Sequence, residues 1–333
     1  MTYKQPISAK RGEIRFRDKL SDQHFGTKTA FPQEYTSQEM IRVLVEKTRR
    51  VREDFAKLNR EGVALSPFLD IGAGYGQASL LLENEFSAQG FASDLASKPL
   101  LTMNESAKRL GFSRLPHAVV FDAESIPFPN QSFAFVFCYQ TLHHFPHPLA
   151  VTREIARVLK PGGVFFFAEE PVAQSFNLPL WHRPTKLRWW EKALKATLIL
   201  PFISRIGKTE IDHGILEEAF PLSVWKEALT PFAKFETELK PFPFGPKGSL
   251  ERNNGLNRLF LFFLGGGITG VARKKASQAK PTKPHFACPT CRRHPRLSKK
   301  NGALICPNCG DTFPVTDSIP ILIKKKLRKK LYG

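Results

Sequence analysis

Acidic residues are scarce in this chain: 30 Asp and Glu stand against 50 Lys and Arg in 333 residues, a formal charge of +20. The deficit is uneven. Residues 273–333 hold 16 Lys and Arg against only Asp311 and Asp317, and residues 1–60 hold 14 against eight acids, which leaves the middle neutral. Basic ends on a neutral core point to a polyanion, either RNA or an anionic membrane surface, although runs such as Lys324–Lys330 also serve as solvated tails. Cysteine is rarer still, with five residues, four of them in two close pairs. That usage argues against a disulfide-stapled secreted scaffold. Long apolar runs are missing as well. Leu259–Ala272 is only fourteen residues long and broken by glycines, which suits a terminal antiparallel hairpin of a sheet better than a membrane span. With no signal peptide and no internal repeat in view, a cytoplasmic protein is expected. A length beyond one typical domain and 42% hydrophobic residues imply a real core and more than one module.

What is present begins with Pro67-Phe-Leu-Asp-Ile-Gly-Ala-Gly-Tyr-Gly76. Leu69 and Ile71 suit a buried parallel strand. Gly72, Gly74 and Gly76 let the backbone turn tightly and approach a ligand at the N-terminus of the next helix, expected over Tyr75 to Phe86. Such turns serve nicotinamide, flavin and nucleoside cofactors alike, but a dinucleotide fingerprint places its glycines as Gly-x-Gly-x-x-Gly, and here they alternate strictly. About twenty residues on, Gly90–Asp94 ends a second short strand in a carboxylate, the placement that binds both hydroxyls of a ribose. A third strand, His117–Phe121, runs into Asp122-Ala-Glu124, and a fourth, Phe133–Cys138, into Tyr139-Gln-Thr-Leu-His-His-Phe145.

On these motifs, with Leu159-Lys-Pro-Gly-Gly163 before a strand Val164–Ala168, the chain resembles the class I S-adenosylmethionine-dependent methyltransferases of the type 11 domain over about residues 65–172. The resemblance implies an α/β fold, a doubly wound, mostly parallel seven-strand Rossmann-like sheet. It also implies that Asp70 with the backbone of Gly72 and Gly74 holds the methionine moiety, that Gly76 completes the loop, and that Asp94 takes the ribose. Asp122 with the Ala123 amide would meet the adenine edge, and Tyr139 and Gln140 would lie near the sulfonium. Ala134 departs from the aspartate that the family often carries there. An Asn/Asp-Pro-Pro-Tyr/Phe motif, used on exocyclic base amines, is missing after the fourth strand, where Cys138-Tyr-Gln-Thr141 stands instead. Cys138 closes an apolar strand without the context of a nucleophile and is expected to be a buried, inert thiol.

Methyl transfer from a sulfonium is an in-line displacement with a good leaving group, so the protein mostly positions the reactants. A base is needed only for a hydroxyl, protonated amine or acidic carbon. His143, His144, Glu169 and Glu170 are the candidates, with His144 and Glu170 placed first. The plainer readings are that the histidines start a helix over the cofactor and that the glutamates pair with basic neighbours.

Cys288-Pro-Thr-Cys291 and Cys306-Pro-Asn-Cys309 form two Cys-x-x-Cys knuckles separated by fourteen residues. This is the spacing of a closed structural zinc site, in which Cys288, Cys291, Cys306 and Cys309 are the ligands; disulfides are the alternative. With Phe313-Pro-Val-Thr-Asp-Ser-Ile-Pro320, residues 286–323 resemble the small zinc-ribbon activator subunits of tRNA, rRNA and release-factor methyltransferases, with Ser318 where glycine is usual. The resemblance implies a partner fused in cis that docks on the catalytic domain; a zinc knob that only stabilises the C-terminus is the bland reading.

The expected organisation is a basic extension and helix over 1–60, a methyltransferase domain over 61–272 with an acceptor-side insertion at 171–214, a flexible linker over 273–284, a ribbon over 285–323 and a basic tail over 324–333. Thr36-Ser-Gln-Glu39 resembles a capping box before a helix running to about Arg60. Residues 1–35 fit either a lid over the cofactor or disorder. The insertion holds Trp181, Trp189 and Trp190 among basic residues, as a stacking surface, an interfacial helix or a packed cap would, and His213 and Glu217 stand just beyond or at its end. The expected function is S-adenosylmethionine-dependent methyl transfer, with RNA as the first candidate acceptor. The alternatives are a small or lipid-linked metabolite, with the ribbon as a brace, and a non-catalytic cofactor-binding scaffold.

Overall fold

The computed structural model describes residues 7–25, 37–173, 181–182, 204–205, 219–242, 244–252 and 254–333. Trp189, Trp190, His213, Glu217 and Thr36 lie outside the described residues, and nothing is described of the Trp181 side chain. Seven strands form the main sheet in the order β3-β2-β1-β4-β5-β9-β8. They are β1 (Phe68–Ile71), β2 (Gly90–Asp94), β3 (His117–Val120), β4 (Phe133–Tyr139), β5 (Leu159–Val172), β8 (Lys234–Pro241) and β9 (Gly266–Arg273). The first five are parallel, and β9 inserts antiparallel between β5 and β8. The short pair β6 (Trp181–His182) and β7 (Ser204–Arg205) stands apart.

Side chains alternate across the sheet with period two, so each central strand feeds two cores. Leu69, Ile71, Val136, Cys138, Phe165 and Phe167 point to one face. Phe68, Phe135, Phe137, Val164 and Phe166 point to the other. Helix α1 spans Ile7–Phe25, and α2, Ser37–Arg60, sets Phe55 against the second face. There the Phe55 ring meets Phe135, Phe137 and Phe166 edge-on at 5.1–6.5 Å. Helix α3 (Gln77–Glu85) follows the glycine turn; α4 (Ser97–Leu101) and α5 (Met103–Leu110) connect β2 to β3, and α6 (Pro148–Val158) covers the first face. Helix α7 (Leu222–Ala228) contributes the fully buried Trp225, stacked on Phe167 at 6.1 Å.

The stretch expected to form a hairpin instead forms helix α8 (Gly255–Leu264), then the single strand β9. Asn254 caps the helix by accepting from the Asn257 amide, and Gly265 ends it at φ 69°. Its apolar residues face outward, which hid the helical period.

The ribbon comprises the antiparallel sheet β10 (Ser298–Lys300), β11 (Ala303–Ile305), β12 (Thr312–Phe313) and the hairpin β13 (Val315–Thr316), β14 (Ile319–Pro320), followed by helix α9 (Lys325–Tyr332). It merges with the sheet. Ile321 pairs in parallel with Val120, and the Leu322 amide donates to the Val120 carbonyl at 2.8 Å, so residues 321–322 cap the C-terminal end of the β3 edge. Ile321 and Ile323 join the core of α3, α4 and α5, while Leu322 joins the opposite one. Phe286 packs on Phe91 and Phe128. The stretch 274–284, expected to be a flexible linker, has no helix or strand but is fastened: Lys274 Nζ donates to the Leu159 carbonyl at 2.7 Å and the Thr282 amide to the Gln131 carbonyl at 2.9 Å. Backbone partners on the sheet domain, rather than composition, decide that course.

Because Leu322 is fully buried between ribbon and sheet, Leu322→Ala should destabilise the whole chain by about 2–5 kcal/mol. Urea unfolding followed by far-UV circular dichroism checks this; an early, separate ribbon transition with an unchanged main transition would contradict it.

Candidate active site

The cleft lies at the carboxyl edge of the parallel strands, with a volume of about 220 Å³. After β1 the chain turns through Gly72, Gly74 and Gly76, all at positive φ. A Cβ on Gly72 would come within 2.5 Å of Thr141 Oγ1, and one on Gly76 would strike the Met103 sulfur. At Gly74 a Cβ would meet nothing within 4 Å, so this backbone borders open space. The Asp94 carboxylate stitches the turn to β2: it accepts from the Gly74 amide at 3.0 Å and the Ala96 amide at 2.9 Å. Asp70 accepts from Ser79 Oγ at 2.6 Å. Burial pushes the Asp70 carboxyl up to about 8, and burial likewise raises that of Asp94 against the pull of Arg17.

Asp122 and Ala123 line the cleft, and the Asp122 carboxylate carries an ion pair. Lys10 of α1, only 3% exposed, reaches Asp122 at 2.5 Å and Glu124 at 2.8 Å. Glu13 and Arg17 of α1 and Lys47, Arg50 and Val51 of α2 also line the cleft. Helix α1 therefore lies along one edge of the cleft. The signal for Lys10, Arg17 and Arg50 in the sequence is only a diffuse basic excess, which names no partner.

Tyr139, Gln140, Thr141, His144, Phe145 and Glu169 form the opposite wall. Two non-glycine residues at positive φ meet there, Gln140 at 49° and Glu169 at 58°, with Gln140 Nε2 donating to Glu169 at 3.0 Å. Arg50 pairs with the same glutamate at 2.5 Å. The Tyr139 hydroxyl donates to Asp54 at 3.3 Å. A register shift between Phe167 and Glu170 separates the two adjacent glutamates. Glu169 turns to the cleft. Glu170 is fully buried and accepts from the amides of Thr141, Leu142 and His143 at 2.8–3.1 Å and from His143 Nδ1 at 2.8 Å. A carboxylate so engaged holds the loop after β4 and does not face the cleft, so Glu170, expected as a base, has no oxygen open to an acceptor. Gly76 also stays out of the cleft lining, behind the turn at the start of α3. The rings of His143 and His144 meet at 4.1 Å, tilted by 40°, within a short 3-10 turn, Leu142–His144. Cys138 is fully buried, and burial raises its thiol well above the usual range.

In the ribbon, the sulfurs of Cys288, Cys291, Cys306 and Cys309 all lie within 4.8 Å of one another. The Cys288–Cys309 and Cys291–Cys306 separations are 3.8 Å, the edge of a tetrahedron with about 2.3 Å metal–sulfur bonds.

Two family models match the chain: a methyltransferase domain over residues 69–167 and a Trm112p-like protein over residues 286–318. The first match spans the glycine turn, Asp94, Asp122 and β5. Residues 69–167 are a methyltransferase domain. This methyltransferase domain is similar to the sarcosine/dimethylglycine N-methyltransferase of Halorhodospira halochloris, 29% identical over 38% of this chain and 45% of that one. The demethylmenaquinone methyltransferase of Protochlamydia amoebophila is 32% identical over 34% and 49%. The chain thus spans about half the length of these curated relatives. Among solved structures, the Haemonchus contortus phospholethanolamine N-methyltransferase 2 covers 81% of this chain and 61% of its own at 15% identity, with a TM-score of 0.44.

The methyltransferase domain should be acid-favoured in the absence of ligand. A carboxyl at about 8 when folded and near 3.9 when unfolded binds more protons in the folded state between those values. That stabilisation is complete below about pH 4 and lost as pH rises through about 8, a few kcal/mol at about 1.4 kcal/mol per unit. The thermal midpoint should fall between pH 5 and 9, and Asp70→Asn should flatten much of that fall; an equally steep Asp70→Asn profile would contradict the assignment.

Proposed function

We propose that the chain is an S-adenosylmethionine-dependent methyltransferase. The observation that carries this reading is the joint of Gly74 and Asp94: an open glycine backbone and a buried carboxylate, tied at 3.0 Å, facing one cleft. The donor set fits a nucleoside with an amino-acid arm. Gln77 Oε1, which lines the same cleft, is buried with no hydrogen-bond partner among the described residues. In this reading Asp70, Gly72 and Gly74 hold the methionine end, Asp94 the ribose hydroxyls, and Asp122 with the Ala123 amide the adenine edge; Lys10 neutralises Asp122 and closes α1 over it.

When bound, the cofactor supplies an electrophilic methyl group on a sulfonium. The chain's own work is orientation and exclusion of water. Gln140 is held by Glu169, and Tyr139 by Asp54, so both rim side chains are fixed before an acceptor arrives. Where the acceptor must lose a proton, His144 and Glu169 are the two of the four candidate bases that line the cleft.

For the acceptor, the reading is a small or lipid-linked molecule. It is supported by the relatives, named for sarcosine/dimethylglycine and demethylmenaquinone. RNA is the second reading, favoured by the exposed Arg292, Arg293, Arg296, Lys299 and Lys300 on the ribbon and Lys324, Lys325 and Lys326 beside it. The ribbon's four thiolates are proposed to hold one structural zinc ion, on the 3.8 Å sulfur separations.

Methyl-labelled S-adenosylmethionine in a cell extract, fractionated into RNA, protein and organic-soluble pools, should place label in the organic-soluble pool. Label in RNA would select the second reading, and none in any pool, with binding intact, a scaffold. Asp94→Ala should weaken cofactor binding in calorimetry by about 1.5–3 kcal/mol; unchanged affinity would remove the ribose assignment. Metal analysis should return about one zinc per chain, lost in Cys306→Ser; a metal-free wild type with disulfides would overturn the ribbon site.

A further inference from the structure

Helix α8 is inside out. Its buried positions are Asn257 and Leu261, while Leu256 and Leu259 are 56% and 52% exposed, and Phe262 and Phe263 remain 44% and 38% exposed. Asn257 is the polar residue on the inner face, where its amide donates to the Pro246 carbonyl at 2.7 Å and the Leu239 carbonyl at 3.3 Å. The turn before the helix continues the patch: Phe242 is 65% exposed and Phe244 48%, and the Phe244 ring stands edge-on to Phe260 at 5.8 Å. Single exposed leucines are ordinary on protein surfaces. Six large apolar side chains within Phe242–Phe263 are not.

The position and the charge both select an occupant. Gly266, which follows α8, pairs with Val172 at the end of β5 and with Pro241 at the end of β8. The patch therefore sits at the carboxyl edge of the sheet, the edge that carries Glu169 and the cleft. Residues 240–264 hold Lys240, Lys247, Arg252 and Arg258 against Glu251, and although Lys247 pairs with Glu238 at 2.7 Å, the segment that carries the apolar face keeps a positive charge. Two copies of a chain with formal charge +20 repel each other, whereas an anionic surface attracts the same segment. Aromatic and aliphatic side chains on one face with basic residues flanking them is the composition of a helix lying in a lipid interface.

We propose that the outward face of α8 and the Phe242–Phe244 turn insert into the interface of an anionic bilayer, laying the carboxyl edge of the sheet against the lipid. Attachment needs neither cofactor nor acceptor, so it stands or falls apart from the methyl-transfer reading.

The test is co-sedimentation of the full chain with vesicles of phosphatidylcholine and phosphatidylglycerol in equal parts, against pure phosphatidylcholine. The wild type should pellet with the mixed vesicles. Phe242→Ser combined with Leu259→Ser should weaken this at least ~10-fold, since two buried apolar side chains are removed from the lipid. Both residues are exposed, so the thermal midpoint should not move. The proposal is overturned if the wild type does not pellet. Equal pelleting of variant and wild type overturns it too, since the basic tail would then be sufficient. A wild-type dimer in sedimentation velocity that the variant lacks would assign the face to a second copy. Loss of RNA binding in the variant, with vesicle binding unchanged, would assign it to RNA.

Discussion

An open strand edge is the constraint around which the C-terminal third of this protein is organised. β3 ends the main sheet, and an edge strand offers unpaired amides and carbonyls to any passing chain. Residues 321–323 take that place, with Leu322 bonded to Val120 and its neighbours buried on both faces. From that cap α9 runs to the cleft side, where the Tyr332 hydroxyl donates to the Leu95 carbonyl, next to Asp94. Arg11 of α1 donates in turn to the Lys330 carbonyl at 2.6 Å. Helix α1, the tail and the loop after β2 thus form one assembly.

A second constraint works on the opposite wall. Glu170 spends its whole acceptor capacity on three amides and an imidazole, which is what a buried carboxylate requires. The turn after β4 is thereby held rigid, and the register shift in β5 leaves Glu169 at positive φ with its side chain in the cleft. One residue of slippage exchanges a scaffold carboxylate for one that faces ligand.

The parts legible in the sequence are those written in local spacing: alternate glycines after an apolar strand, a carboxylate twenty residues on, and two Cys-x-x-Cys turns. These are short-range because each depends on one turn of backbone. What stayed hidden depends on distant packing. Nothing near Lys10 announces Asp122, 112 residues away. Adjacent Glu169 and Glu170 look alike until β9 pairs with β5. Helix α8 escaped because its apolar residues point away from the core, so the pattern carried no inward stripe to distinguish helix from hairpin. The stretch 274–284 looked loose in composition, yet its anchors are backbone groups of the sheet domain, which composition does not encode.

Closure of the β3 edge also has an order in time. Val120 leaves the ribosome some two hundred residues before Ile321 does, and at about 5–20 residues per second the interval is roughly 10–40 s. During that interval the parallel strands can assemble, but the outer edge of β3 lacks its cap at Val120, and Leu80, Ala92 and Val120 lack the isoleucines that finish their core. The nascent chain therefore stays adhesive at this corner of the sheet until residues 321–323 have been made, which is the interval in which unfinished copies can pair with one another.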